Sequence, residues 1–421
     1  MSGTVVSNVF RTSGVIAATA AGINFQSSVV TGTTLTAEAG NGYFINTTSN
    51  ICTITLPSSA EAGDQIVFVD YARTWGTYKI VIDSNGLNFQ GQDDTYTVEY
   101  NTSGVTVNIV YSGASKGWTP ISDDVVTDAP SPPPTQKGIF AYGVNGGYYS
   151  LSNLVNSSGA IAADVTGVGT ARYSPGAATY GGDKAVFAYG SANSGQVSVK
   201  NLVNNSGVVG ADVTGVGTGR RRLAAAGYGV DKAIFGYGRN GGLTAITNLC
   251  NNVGVIAANV SGVGTAREYL SAASYGADKA LFAYGTTGSI ISTKNLVSNQ
   301  GVVSADVTGV GTVRAQQAAV KYGVGLAIFA YGANAGGRLS LSNKVNYEGV
   351  VAADVSGVGT ARYNLAATNY GGDKAVFAYG ISSSLLNLKN LVSNSGVIAA
   401  DSSGAGTARA LMGAAGYSTS A

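Results

Sequence analysis

The sequence predicts an all-β chain, and three observations carry that expectation. Glycine is abundant, at 61 of 421 residues, while charged residues make up only 11% and hydrophobic ones 45%. Glycine supplies the positive φ of tight turns, so this balance fits many short strands joined by hairpins. A strand-sized Phe-x-Tyr-Gly element recurs at Phe140, Phe187, Phe235, Phe282, Phe329 and Phe377, a period of 47 or 48 residues. Ahead of these copies, runs such as CTITL, QIVFVDY, YKIVI, YTVEY and VTVNIVY alternate apolar and polar residues between Gly, Asn and Ser turns. Alternation of period two is the mark of a half-buried strand.

In chain order, residues 1–35 are polar and rich in Gly, Ser and Thr, residues 36–127 hold the alternating runs, and residues 128–136 read DAPSPPPTQ. The second stretch is expected to form a small β-sandwich, and the third, with four of the seven prolines, a semi-rigid linker. Residues 137–421 carry the repeat. Gly-x-Gly-Thr follows the aromatic element at Gly167, Gly215, Gly262, Gly309, Gly357 and Gly404. A period of 40 to 50 residues built from strands points to propeller blades, here six, each of four short antiparallel strands. RYNLAATNYG, KAVFAYG, LLNLKNLVS and VIAADSSGAG are the four pieces of one copy. The array opens at Lys137 on the second piece and closes with RALMGAAGY, a first piece, so the last strand is expected to complete the first blade. That pairing removes the free sheet edges that an open array exposes.

The Arg-led, Ala-rich first strand and the aromatic-Gly second strand resemble those of kelch-type propellers across residues 137–421. The usual Gly-Gly doublet and outer-strand Trp are missing, so the resemblance implies an architecture and no partner or activity.

Copies within the chain differ unevenly. The turn between first and second strands stays near Gly-x-Asp, and the turn between third and fourth near Asn-x-x-Gly. The triplet after each repeated Arg and the loop after each Tyr-Gly vary freely, and an up-and-down blade places both on one side. A constant scaffold with one diversified face is how a binding surface is built. Candidate contact residues on that face are Tyr148, Tyr149, Tyr173, Arg221, Arg222, Arg239, Glu268, Tyr269, Gln316, Gln317, Arg338 and Tyr363. Tyrosine offers a flat apolar plate with a polar tip, and arginine a forked donor for anions; together they suit an anionic glycan. The six repeated arginines, Arg172, Arg220, Arg267, Arg314, Arg362 and Arg409, are expected either to ring a channel mouth or to pair with an Asp of the preceding Ala-Ala-Asp element.

Several functions are disfavoured. The chain has no histidine, which removes the usual neutral-pH base and the commonest metal ligand. No phosphate-loop motif accompanies the glycines, so no cofactor is expected. Cys52 and Cys250 stand too far apart in sequence to suggest a disulfide framework and read as buried apolar residues. No signal peptide or membrane insertion is expected, because the N-terminus lacks a basic leader and no run reaches spanning length. Residues 1–136 hold 4 Lys/Arg and 11 Asp/Glu, a net −7, while residues 137–421 hold 20 and 11, a net +9. The basic part suits acidic surfaces, but its charges are dispersed by the repeat and suggest no nucleic-acid groove.

Within residues 36–127, GYFINTT, ITLPSSAEAGDQIVFVDYA, VIDSNG and VNIVYSGASKGW are similar to a domain of tail-fibre and other virion proteins of tailed bacteriophages. The resemblance implies a trimeric virion component on the particle exterior that docks to other virion proteins near residues 1–35. The distal module would meet a host surface polysaccharide or lipopolysaccharide. A capsid head fibre or decoration protein is the alternative within that class, and a cellular propeller adaptor lies outside it. A polysaccharide-degrading enzyme would need paired carboxylates in one cavity. The only glutamates after residue 136 are Glu268 and Glu348, which the repeat assigns to opposite faces.

Overall fold

The computed structural model describes residues 22–94, 98–122 and 135–420, together with the backbone of a hairpin pairing Val9–Thr12 with Val15–Ala18. These residues contain strands and turns and no helix, so the chain is all-β as predicted. Contacts divide it into two units, Met1–Ser131 and Pro132–Ala421. Most of the expected linker lies outside the described residues; Thr135 and Gln136 are described and belong to the second unit.

The first unit has a five-stranded and a four-stranded sheet around one core, in which Trp75, Phe68, Ile54, Ile109 and Trp118 are buried. The two sheets form the layered arrangement that the alternating runs suggest, and their strands are not joined as successive hairpins. Successive strands from Asn24–Phe25 to Ile80–Asp83 change sheet each time, so Asn41–Ile45 lies parallel to Gln65–Asp70 and Cys52–Thr55 parallel to Ile80–Asp83. Strand patterns report which side faces the core and carry no record of strand direction. Asn24–Phe25 and Thr34–Thr36 join these sheets, so the sheet domain begins before residue 36. Buried Asp70 fixes the return loop, accepting from Thr74 N (3.0 Å), Trp75 N (3.1 Å) and Gly104 N (3.0 Å).

The second unit contains six three-stranded antiparallel sheets. Sheet 2 is typical: inner strand Gly176–Tyr180, middle strand Lys184–Ala188, outer strand Lys200–Val203. Sheets 3 to 6 repeat this order, with inner strands Ala224–Tyr228, Ser271–Tyr275, Ala318–Tyr322 and Ala366–Tyr370. Sheet 1 joins the two ends of the repeat region: Lys137–Ala141 pairs with Ser152–Val155 and also with Gly413–Tyr417, Phe140 facing Ala414. The inner strands touch in cyclic order, sheet 1 to 2 through to sheet 6 and back to sheet 1.

The predicted fourth strand is reduced to two isolated bridges per copy, such as Val155 with Ile161 and Ser152 with Val165. The fourth segment spends one more residue between its bridges than the outer strand it faces, which is a bulge and breaks the ladder. An asparagine side chain fills the gap: Asn153 Nδ2 donates to Ala162 O at 3.0 Å and Asp164 Oδ1 at 2.9 Å. Asn201, Asn248, Asn295, Asn343 and Asn390 repeat the arrangement.

Three repeated contacts join neighbouring sheets. Each arginine is fully buried, so the channel-mouth expectation fails; its guanidinium lies over the tyrosine of the preceding sheet, as Arg172 over Tyr142 at 3.8 Å and Arg409 over Tyr379 at 4.7 Å. The acidic neighbour comes from the Ala-Ala-Asp element after the arginine, and not before it: Arg314 reaches Asp354 at 4.0 Å and Arg362 reaches Asp401 at 3.9 Å. That same carboxylate holds the Gly-x-Gly-Thr threonine, Thr312 donating from N and from Oγ1 (2.6 Å) to Asp354. At the join of the array, Thr407 makes this contact with Asp164, and Arg409 Nε donates to Tyr142 O at 2.9 Å. Tyrosine–phenylalanine pairs also cross every boundary, from Tyr142–Phe187 to Phe140–Tyr379.

Candidate functional site

In all six copies the two variable segments lie side by side. The residue after each arginine bridges the residue after Tyr-Gly: Tyr173 with Ser191, Arg221 with Arg239, Glu268 with Thr286, Ala315 with Ala333, Tyr363 with Ile381 and Ala410 with Val144. Tyr-Gly makes the approach possible. Its tyrosine has positive φ (68° at Tyr142), and a Cβ on the following Gly143 would stand 2.7 Å from Ala410 O.

The middle residue of each triplet adopts the left-handed conformation: Ser174, Arg222, Tyr269, Gln316, Asn364 and Leu411, with φ between 51° and 63°. Non-glycine residues pay of order 1–3 kcal/mol for such backbone, so something must hold them. Five backbone bonds link them, Ser174 N to Leu411 O (2.7 Å), Leu411 N to Asn364 O, Asn364 N to Gln316 O, Gln316 N to Tyr269 O and Tyr269 N to Arg222 O (3.0 Å). These residues surround a well of about 140 Å³ to which all six sheets contribute. Deeper in the well lie Ala177, Ala225, Ala272, Ala319, Ala367 and Ala414, one from each inner strand.

Seven of the predicted contact residues form one connected cluster beside this well. The Tyr148 and Tyr173 rings are 5.0 Å apart, and Arg221 Nη1 donates to Tyr173 Oη at 2.7 Å. Arg221 bridges through its backbone to Arg239, which pairs with Glu268 at 3.4 Å. Glu268 also pairs with Arg222 at 3.0 Å, and Arg222 lies over the Tyr269 ring at 4.3 Å. Two arginines engage one buried carboxylate and Arg221 lies beside them, which leaves a cationic, aromatic strip. Gln316 hydrogen-bonds Tyr269 and extends the strip; burial is the main influence on the Tyr269 phenol and raises its pKa.

The remaining predicted residues are placed differently. Tyr149 lines a separate depression with Asp164 and Val165, and Arg338 is exposed on its own hairpin. Tyr363 meets Ile381 in the sixth copy. Gln317 is a correction: it is 5% exposed, donates from Nε2 to Ala283 O at 3.4 Å and fills the position held elsewhere by the core leucines Leu223, Leu270 and Leu365, so it packs between sheets at the wall of the well and not on the open surface. The sequence reading also missed Ser174 and Asn364, which line the well, and Lys321, on the inner strand of sheet 5. Their signal was available: Lys321 interrupts a position otherwise held by Thr179, Gly227, Ser274, Asn369 and Gly416.

The chain matches no family model and no curated protein sequence.

Proposed function

We propose that the second unit is a six-bladed propeller of kelch-like plan whose variable face binds a bacterial surface glycan on behalf of a bacteriophage particle. The propeller reading is supported by the cyclic contacts of the inner strands and by the place of Gly413–Tyr417 in sheet 1. The observation that carries the binding reading is the pairing of the two variable segments in every copy, with the connected Tyr148-to-Tyr269 cluster on them. An aromatic plate beside forked cations stacks on sugar rings and holds acidic substituents.

The first unit supplies the anchor in this reading, as its phage-fibre resemblance implies, and other virion proteins are its partners. Assembly as a homotrimer would raise the avidity of weak single contacts by ~100-fold or more. A head fibre or decoration protein uses the same surface from a different mount. For a polysaccharide-degrading enzyme, Glu268 is poorly placed: it is buried and engaged by two arginines, while exposed Glu348 lies in an Asn-x-x-Gly turn.

The test is binding of the full chain to immobilised lipopolysaccharides and capsular polysaccharides from a panel of bacteria. The expected result is a salt-sensitive signal on acidic glycans that falls at least tenfold in a Tyr148→Ala, Tyr173→Ala, Arg221→Ala triple variant. Equal binding by both proteins, or no binding to any glycan, would overturn the reading.

A further inference from the structure

Beside the strip, the first copy carries an aromatic residue where the other five do not. Tyr149 holds the place of Val197, Thr244, Ile291, Leu339 and Leu386, all of which donate their backbone N–H to the glycine of the preceding Tyr-Gly, Tyr149 to Gly143 O at 2.9 Å. Tyr149 O also accepts from Arg172 N at 3.2 Å, so its ring is mounted on backbone that is fixed on both sides. The side chain lines a depression of about 390 Å³, within the range of about 300–1,000 Å³ usual for small-ligand sites. Tyr148 lines the same depression and lies 5.0 Å from the Tyr173 ring, so the depression and the cationic strip meet at one residue.

The chemistry of the depression is unlike that of the strip. No lysine or arginine lines it, and its single charged residue, Asp164, has both carboxylate oxygens engaged, Oδ1 by Asn153 Nδ2 at 2.9 Å and Oδ2 by Thr407 Oγ1 at 2.6 Å. The hydroxyls of Tyr149, Ser150 and Thr166 make no hydrogen bond among the described residues, and each can both donate and accept. Val165, which is 46% exposed, and Leu151 supply apolar surface beside them. A pyranose ring presents C–H faces and a rim of hydroxyls, so an aromatic and aliphatic lining with free hydroxyls matches a sugar. An acidic sugar would meet the Asp164 charge there with no cation to offset it.

We propose that this depression is a subsite for one neutral sugar unit, packed on Tyr149 and Val165 with its hydroxyls bonded to Ser150 and Thr166. The assignment rests on the glycan-binding reading and specifies its ligand. Arg221 and Arg239 hold an acidic unit, Tyr148 stands at the junction, and the bound glycan is a chain in which an acidic and a neutral unit adjoin. A chain of acidic units alone satisfies the strip and places a like charge beside Asp164.

The experiment is calorimetric titration of the full chain with two defined probes: a hyaluronan hexasaccharide, in which acidic and neutral units alternate, and a galacturonate hexasaccharide, in which every unit is acidic. Two variants copy residues that other copies already hold: Tyr149→Leu follows Leu339, and Ser150→Ala follows Ala245, so both are expected to fold. The wild type is expected to bind the hyaluronan probe at least tenfold more tightly than the galacturonate probe. Tyr149→Leu should weaken hyaluronan binding at least fivefold and Ser150→Ala at least threefold, with galacturonate binding unchanged in both. Equal affinity of the wild type for the two probes, unchanged hyaluronan binding in Tyr149→Leu, equal losses on both probes, or binding of neither probe overturns the assignment. The Tyr148→Ala, Tyr173→Ala, Arg221→Ala variant separates the two readings: loss of both probes in it, with no change in Tyr149→Leu, leaves the glycan-binding face standing and removes the neutral subsite.

Discussion

Replacing Asp164 with alanine tests the join between the ends of the repeat array. Its carboxylate accepts from Thr407 N at 3.1 and 3.0 Å, from Thr407 Oγ1 at 2.6 Å and from Asn153 Nδ2 at 2.9 Å. A hydrogen bond to a charged acceptor is worth about 1.5–3 kcal/mol. The side chain is 32% exposed, so solvent lowers each toward or below that floor. Asn153 Nδ2 keeps Ala162 O as an acceptor at 3.0 Å, so most of the loss falls on Thr407. The expected cost is about 3 kcal/mol by that reckoning, which for a unit as large as Pro132–Ala421 lowers Tm by roughly 5 °C. Asp164→Asn is the control, because sheet 3 already uses asparagine there: Asn259 accepts from Thr218 N at 3.1 Å and donates to Thr218 Oγ1 at 2.8 Å. Scanning calorimetry of the full chain should place the Asn variant within about 3 °C of wild type. Equal Tm values for the Ala variant and wild type would refute the reasoning, as would equal losses for Ala and Asn.

The same carboxylates set an acid limit. Burial alone would raise the pKa of Asp164, Asp212, Asp306, Asp354 and Asp401, but threonine and asparagine hydrogen bonds outweigh it and hold each below its usual 3.8. Such groups contribute stability above the unfolded pKa and lose it as pH falls through the lower folded value. Tm should therefore drop as pH falls below about 4, and a flat profile there would contradict the shifts. Burial pushes the Cys52 and Cys250 thiols up to about 11. A disulfide reagent at pH 8 should leave both unmodified in the native chain and titrate both in denaturant; fast native reaction would show that either is accessible. Gly159→Ala places a methyl 2.7 Å from Tyr370 Cζ at a φ of 80°. Strain and overpacking should together cost about 2–4 kcal/mol in denaturant unfolding, and a neutral result would sever the contact inferred between sheets 6 and 1.

Repetition made the second unit legible. Six copies fixed strand boundaries at the aromatic-Gly and Asn-Leu-Val elements, and the offset between array ends anticipated that Gly413–Tyr417 would pair with Lys137–Ala141. The fourth strand failed because Val-x-x-Ala-Asp looks strand-like until one extra residue and the Asn153 side chain interrupt its ladder. Strand direction in the first unit was not legible, since a period of two is the same in parallel and antiparallel sheets. At the candidate site, residue type identified the strip from Tyr148 to Tyr269. Burial was out of reach: Gln316 and Gln317 look alike in sequence, yet the second is buried between sheets, bonded to Ala283 O. Lys321 sits within an Ala-rich run, and only the register with Thr179 and Ser274 shows that it shares the side of Ala319.

Hydrogen exchange of the C-terminal strand tests closure most directly. Peptides covering Gly413–Tyr417 should exchange as slowly as those covering Ala366–Tyr370, because both are inner strands paired with a middle strand. Exchange of 413–417 within seconds, beside protected strands elsewhere, would mean that the two ends do not meet, and the shared well would go with them.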